Sequence, residues 1–487
     1  MSTHQLVNLS TRQLFSIHLF SGAGYASFGK RLILIFSYYL LLVFCLIEIV
    51  SPKETIIFAF QINRHGARAP YYGVKEGLDV YKEKWTQIEE ISDVGRRMLY
   101  LLGVKIRKRY IDDYHLLSQN YNPQEIFIKS TDSNRTIDSI YSYIQGLYPN
   151  GTGQTINTKI INDTNIIYPP NKKYYKVFEN IIKQYNMDEE GDALPYKMSA
   201  LPVHLFIKKD HELELYDTRY CFGHKEEYEQ RQRRKEILDF ADMINEETNN
   251  IFMELEPSIN STFLYDYWTL YKYMDSFLCD EADVRNFEYM KEKYGSDILE
   301  KLREYTKDYF LLDYYGTNFP DEAYKIGIAS HSETMRSLLN WMDIAINSYK
   351  NNIDQYVKFV IFSAHDSTIG ALESFLRYVF HIDLDTCTFA DSRYFELYVN
   401  DNGDYKVRYL KGDSTEKLNK LYDEFKNGII NEIWTNDEVL EYCKLTKNEE
   451  KKDYFLEISI MIILVIFNVV LIVFLLVLFF KKNEEKV

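Results

Sequence analysis

The chain has 487 residues and an apolar content of 46%, enough for a large core with more than one structural layer. Acidic side chains outnumber basic ones 72 to 57, giving a formal net charge of −15 without any long basic run. This argues against a nucleic-acid partner, and an anionic ligand would need a strongly focused local positive site, so clustered arginines carry information.

The first element is the apolar run LILIFSYYLLLVFCLI at residues 32–47, behind Lys30 and Arg31. It resembles the hydrophobic region of a signal peptide. The about 30 residues upstream are long for such a leader, so either the true start lies downstream of Met1 or the segment stays as an anchor. We expect cleavage, and assign residues 1–50 to a signal or signal-anchor region.

ETIIFAFQI, Glu54 to Ile62, is a short apolar run of the kind that forms a buried strand, and it ends in Arg64, His65, Gly66, Arg68 and Pro70. Trp85 to Tyr110 contains a helical pattern that Ser92 or Asp93 can cap, with Met98, Leu102 and Ile106 on its apolar face. A second strand, EIFIKS at Glu125 to Ser130, precedes a helix that carries Arg135 and should stop at Gly146 and Pro149. Residues 210–320 are rich in charge and helical periodicity, and we read them as a helical cap inserted over a sheet. Ser330-His331-Ser332-Glu333 lacks a nucleophile elbow and reads as a helix start with a serine cap. KFVIFSA, Lys358 to Ala364, is a third strand, followed by His365, Asp366 and another helix. Strand followed by helix, three times, predicts an α/β fold: a mostly parallel mixed sheet flanked by helices, built from residues 51–209 and 321–446.

Ile458 to Phe480 is long enough to cross about 30 Å of hydrocarbon. Lys481 and Lys482 behind it place the tail, 481–487, in the cytosol, which makes a single-pass type I membrane protein with everything upstream lumenal or extracellular. The tail contains no tyrosine-based or dileucine signal, leaving lysosomal and cell-surface delivery both open. Cys45 lies in the signal-like run; Cys221, Cys279, Cys387 and Cys443 remain, an even number that permits three disulfide connectivities in an oxidising compartment. No Cys/His spacing suggests zinc, so no metal is expected. Asn150, Asn162 and Asn260 head glycosylation acceptors.

Open α/β sheets bind ligands beyond the carboxyl ends of their parallel strands. Here those ends would bring together Arg64, His65, Arg68, Arg135, His365 and Asp366. Guanidinium forks match tetrahedral oxyanions. One imidazole can attack phosphorus while a carboxylic acid protonates the leaving oxygen and later activates water. The site is suited to phosphate.

RHGARAP, Arg64 to Pro70, fits the RHGxRxP signature of the histidine acid phosphatases in full, and Ser363-Ala364-His365-Asp366 fits that family's HD motif. DVGRRMLYLLGVKIRKRY, IKSTDSNRTIDS, GLYP, LPVH and RYFELYV resemble further family segments in the family's order, so the resemblance spans Glu54 to Tyr398. It implies a mixed sheet with a smaller helical domain over the site. It also implies His65 as nucleophile, Arg64, Arg68, Arg135 and His365 as phosphate contacts, and Asp366 as proton donor. No cofactor is implied, small phosphomonoesters are the expected substrates, and a homodimer is an option. The resemblance makes Cys221 with Cys443 plausible and leaves Cys279 with Cys387, although Cys387 lies somewhat early. It puts Asn134, a further acceptor, in the pocket floor where a glycan would block access, and His204 near the pocket edge with a core role favoured. An acidic optimum is expected, since Asp366 must be protonated. The alternatives are a phytase-like enzyme for inositol phosphates, against which the acidic surface argues, and a catalytically silent surface protein that keeps the pocket for binding.

Overall fold

Strand β1, Thr55–Arg64, is buried at nine of its ten positions, so it must be covered on both faces. The computed structural model describes residues 54–70, 88–157, 192–206, 267–283, 323–383, 386–412 and 414–444, with scattered positions between 180 and 305. In it, β1 lies inside a seven-stranded sheet of order β3-β2-β4-β1-β5-β6-β7. The other strands are β2 (Ile126–Ser130), β3 (His204–Leu205), β4 (Phe359–Ala364), β5 (Ser392–Val399), β6 (Tyr405–Lys411) and β7 (Glu416–Leu421). Strands β1 to β4 run parallel to their neighbours among themselves. From β1 through β5 and β6 to β7 every pairing is antiparallel. The sheet is therefore mixed, with three pairings of each kind, and less parallel than the sequence suggests.

The period-2 alternation of β4 splits its side chains between two layers. Phe359 and Ile361 point into one core with Leu99, Ile106, Tyr143 and Ile144. Those partners come from helices α1 (Asp93–Arg107) and α2 (Asn134–Leu147). Val360, Phe362 and Ala364 point into the other, with Met335, Leu338, Leu372, Phe375 and Phe425. That layer is built by α4 (Ala323–Lys350), α5 (Asp366–Phe380) and α6 (Tyr422–Glu432). Between 210 and 320 the longest described element is α3, Tyr267–Ala282, and every regular element described there is helical.

Ser92 caps α1 as expected, its side chain accepting from the Gly95 N–H at 3.1 Å. The helix α2 ends at Leu147, between Gly146 and Pro149, where the stop was expected. A Cβ at Gly146 would lie 2.0 Å from the Tyr100 carbonyl oxygen, so this glycine also serves the close approach of α1 and α2. Ser330 and Ser332 open no helix. They fall inside α4, where the Ser332 hydroxyl donates to the Ile328 carbonyl at 2.7 Å and accepts from the Trp434 N–H at 2.9 Å.

A disulfide joins Cys221 to Cys443, just past α7 (Asn436–Tyr442). Cys279 and Cys387 are not bridged to each other: both are buried free thiols, correcting the expected pair. Each faces a different partner, Cys279 the Arg68 guanidinium at 3.5 Å and Cys387 the Thr388 carbonyl at 3.7 Å. Asn150 is exposed in the turn after α2. Asn134 is also exposed, not in a pocket floor, and its amide donates to Glu90 at 2.9 Å. No helix among the described residues is long and apolar enough to cross a membrane. Residues 1–50, Asn162, Asn260, Ile458 to Phe480 and the tail lie outside the described residues.

His331 is 1% exposed inside α4. Burial lowers its pKa to about 3, offset only in part by the Gly327 carbonyl one turn back. The folded state thus binds fewer protons than the unfolded one between that value and the ordinary 6.5. Stability is fully present above the unfolded pKa and falls by up to about 1.4 kcal/mol per pH unit as pH drops below it. Denaturant titrations at a series of pH values should show this slope, and His331→Met should flatten it.

Candidate active site

Three strand ends are brought level by pairing register. Arg64 at the end of β1 pairs with Ala364 at the end of β4, and Ser130 at the end of β2 pairs with Ser363. The backbone N–H of His65 donates to the Ala364 carbonyl at 3.1 Å, and that of Thr131 donates to the Ser363 carbonyl at 3.1 Å. His65 and His365 therefore leave adjacent strands side by side, with ring centroids 5.6 Å apart and planes at 70°. Gly66 is needed at the next position because a Cβ there would lie 2.3 Å from the Gly95 carbonyl oxygen at the start of α1.

The His65 ring is buried, and its Nδ1 is 2.9 Å from the Gly66 carbonyl oxygen, which can only accept. Nδ1 therefore carries the proton and Nε2 the lone pair. Burial, then Arg64, Arg68, Arg135 and His365, push the His65 pKa well below its ordinary value. His365 contacts Thr131 Oγ1 through Nε2 at 3.0 Å and the Arg135 guanidinium through Nδ1 at 3.4 Å. Since the guanidinium can only donate, Nδ1 accepts and Nε2–H points to the hydroxyl.

Each of the three arginines is paired with a carboxylate from a different segment. Arg64 reaches Asp366 at 2.7 Å and the Cys387 carbonyl at 2.6 Å, with its guanidinium 4.3 Å over the Phe389 ring. Arg68 grips Asp275 of α3 through two bonds, of 2.8 and 3.1 Å. Arg135 holds Glu89 at 2.7 Å. With His65 neutral, these three pairs leave a site whose positive charge is internally matched. Burial tends to raise the Asp366 pKa, but Arg64 first, then Arg68, His365 and the Ser367 N–H, outweigh it and hold the carboxyl at about 2.

All six residues expected from the sequence converge here. His204 is exposed on β3 rather than in a core, and stacked on Phe127 with centroids 4.8 Å apart. Thr131, Phe389, Asp275 and Glu89 were missed. Thr131 had a signal, since it immediately follows β2, whereas Asp275 lies in the region read as a helical cap and Glu89 just before the helix capped by Ser92, with no local sign of a site role. Among the described residues, no group of three or more His, Cys, Asp or Glu side chains is placed to hold a metal ion.

The model of the histidine phosphatase superfamily (branch 2) matches residues 55–411, most of the chain and the whole of this site. The chain belongs to that family. This branch 2 phosphatase is a phosphoric monoester hydrolase of the histidine acid phosphatase type. It is 25% identical over 379 residues to the lysosomal acid phosphatase of Xenopus laevis, covering 77% of this chain and 73% of that one. It is 34% identical over 80 residues to lysophosphatidic acid phosphatase type 6 of Mus musculus, covering 16% of this chain and 19% of that one. Among solved structures, the phytase from Citrobacter braakii matches with a TM-score of 0.49 at 12% identity, over 80% of this chain and 100% of that one.

In the branch 2 phosphatase, Arg68 and Asp275 are both about 5% exposed, so removing the carboxylate strands buried charge. Asp275→Ala should destabilise the enzyme by about 3 kcal/mol. Added inorganic phosphate, supplying the missing anion, should raise the melting temperature of the variant more than that of the wild type.

Proposed function

We propose that the enzyme hydrolyses phosphate monoesters through a phosphoryl group carried covalently on Nε2 of His65, with Asp366 moving a proton in both half-reactions. The observation that carries this reading is the state of the His65 ring. Its proton is committed to the Gly66 carbonyl, and burial among guanidiniums keeps Nε2 unprotonated in acid.

In the first half, the Nε2 lone pair forms the N–P bond as the P–O ester bond breaks. The leaving oxygen takes a proton from Asp366. Arg64, Arg68 and Arg135 hold the remaining phosphoryl oxygens, matching the charge that spreads over them in the transition state. His365, oriented by Thr131, contributes a further polar contact. In the second half, water attacks phosphorus and gives its proton to the Asp366 carboxylate. The N–P bond breaks, inorganic phosphate leaves, and Nε2 regains its lone pair.

The proton needs a source, because Asp366 is ionised down to about pH 2 in the free site. A phosphate monoester supplies it: with a second pKa of about 6, the ester is largely a monoanion in mild acid. On binding, phosphate takes Arg64 away from Asp366 and brings negative charge beside it, and both effects raise the carboxyl pKa. The acid requirement then belongs to the enzyme and substrate together.

In this reading residues 210–320 form a cap over the site, supported by the Arg68–Asp275 contact. The site faces a lumenal or extracellular space and is tethered by Ile458 to Phe480. The Cys221–Cys443 disulfide supports an oxidising compartment. The Xenopus relative named lysosomal agrees.

For an aryl phosphate, with a chelator present, kcat/KM should be level between about pH 4 and 5.5 and fall about tenfold per unit above about 6. A steady rise from about pH 5 to 8 would overturn the assignment of Asp366. His65→Ala should abolish both turnover and covalent labelling by radioactive substrate, and Asp366→Asn should lose at least about 100-fold in kcat.

A further inference from the structure

Glu89 has φ 61, a left-handed backbone that L residues rarely adopt. Neighbouring hydrogen bonds hold it there. The Glu89 N–H donates to the Pro70 carbonyl at 3.1 Å, the Ala69 N–H to the Glu90 carbonyl at 2.9 Å, and the Ser92 N–H to the Ala67 carbonyl at 2.9 Å. The segment is thus laid antiparallel along the signature loop, with Arg68 opposite Ile91. Strained backbone that persists beside a ligand site points to a role for the side chain it aims.

That side chain stands on the solvent side of the site. Glu89 and Asp366 are 34% and 24% exposed, whereas Arg64, Arg68, Arg135 and Asp275 are all below 10%. The cations form the floor, and two carboxylates form the rim. Asp366 has a task there, proton transfer, and Asp275 is buried behind Arg68. Glu89 takes no part in either half-reaction. The leaving group must lie at the rim, since its oxygen has to reach Asp366.

We propose that Glu89 is a specificity-determining residue that selects esters carrying a single phosphate on an uncharged or cationic leaving group. This rests on the phosphatase reading above. Phosphate that takes Arg135 displaces the Glu89 carboxylate from its 2.7 Å contact, yet the backbone keeps that charge at the rim. A leaving group bearing further phosphates then meets a fixed like charge, so polyphosphorylated substrates are rejected by repulsion rather than by lack of room.

The test compares wild type, Glu89→Gln, Glu89→Gly and Glu89→Asp. Gln keeps the shape without the charge, Gly accepts the backbone freely, and Asp keeps the charge. For each, kcat/KM is measured in mild acid for an aryl monophosphate and for myo-inositol hexakisphosphate. The ratio of the second to the first should rise about tenfold or more in the Gln and Gly variants, through a lower KM for the polyphosphate, and stay near wild type in Asp. A purely structural role would lower both substrates together and leave the ratio unmoved, which would overturn the proposal. If the wild type hydrolyses neither ester, the phosphatase reading fails. The same ratio is then read from dissociation constants of phenyl phosphate and inositol hexakisphosphate, where an unchanged ratio again overturns the role of Glu89.

Discussion

Parallel pairing of β1 with β4 sets Arg64 opposite Ala364, and the site depends on that alignment. Side chains alternate along a strand, so a slip of one residue would exchange the β1 side chains that fill the two layers. Both layers are closed, by α1 and α2 on one side and α4, α5 and α6 on the other, so a slipped register would mispack both. Packing that has nothing to do with phosphate thus places two imidazoles 5.6 Å apart at the sheet's carboxyl edge. The loop beyond is fixed just as firmly. The Ala390 N–H donates to the His65 carbonyl at 3.0 Å, and the Arg64 N–H to the Asp391 carbonyl at 2.9 Å. Asp391 in turn reaches the fully buried Arg393 at 2.8 Å, anchoring the loop to β5.

Three guanidiniums on one floor would repel one another and lose hydration. Buried charge is tolerated when it is paired and hydrogen-bonded. Asp366, Asp275 and Glu89 supply that pairing before substrate arrives, one from each of three distant segments. On the proposed function, phosphate binding is an exchange of anions. The three partners differ in how readily they can be displaced: Asp275 is buried, while Asp366 and Glu89 lie where water can take them up. Arg68 is thereby the fixed point of the floor, and Arg64 and Arg135 are the arginines able to change partners.

What the sequence made legible follows from which signals are local. The three strand runs, the Ser92 cap and the RHGxRxP loop are contiguous patterns, and they lie where expected. The antiparallel half of the sheet was hidden because β6, YKVRYLK, carries charge on a buried strand. Arg408 is buried there with its charge met by Glu396 of β5 at 2.7 Å, a cross-strand pairing that the strand's own seven residues do not reveal. Asp275 and Glu89 escaped for the same reason: their partners are 207 and 46 residues away. Gly146 marked the end of α2 as a glycine near a helix end should, but its second role, the contact of two helices, has no local signal.

On the proposed mechanism, acid pulls this molecule two ways. That mechanism draws its proton from the substrate's second ionisation, which favours pH below about 6. The buried neutral His331 weakens the fold over the same range, because the unfolded chain takes up the proton that the folded chain refuses. The Cys221–Cys443 bridge acts against that loss. It closes a loop of 222 residues, and on chain-entropy reasoning such a crosslink is worth about 5 kcal/mol, independent of proton concentration. A stabilising element that does not titrate is what a fold with a titrating weakness needs, and an oxidising compartment is where it forms.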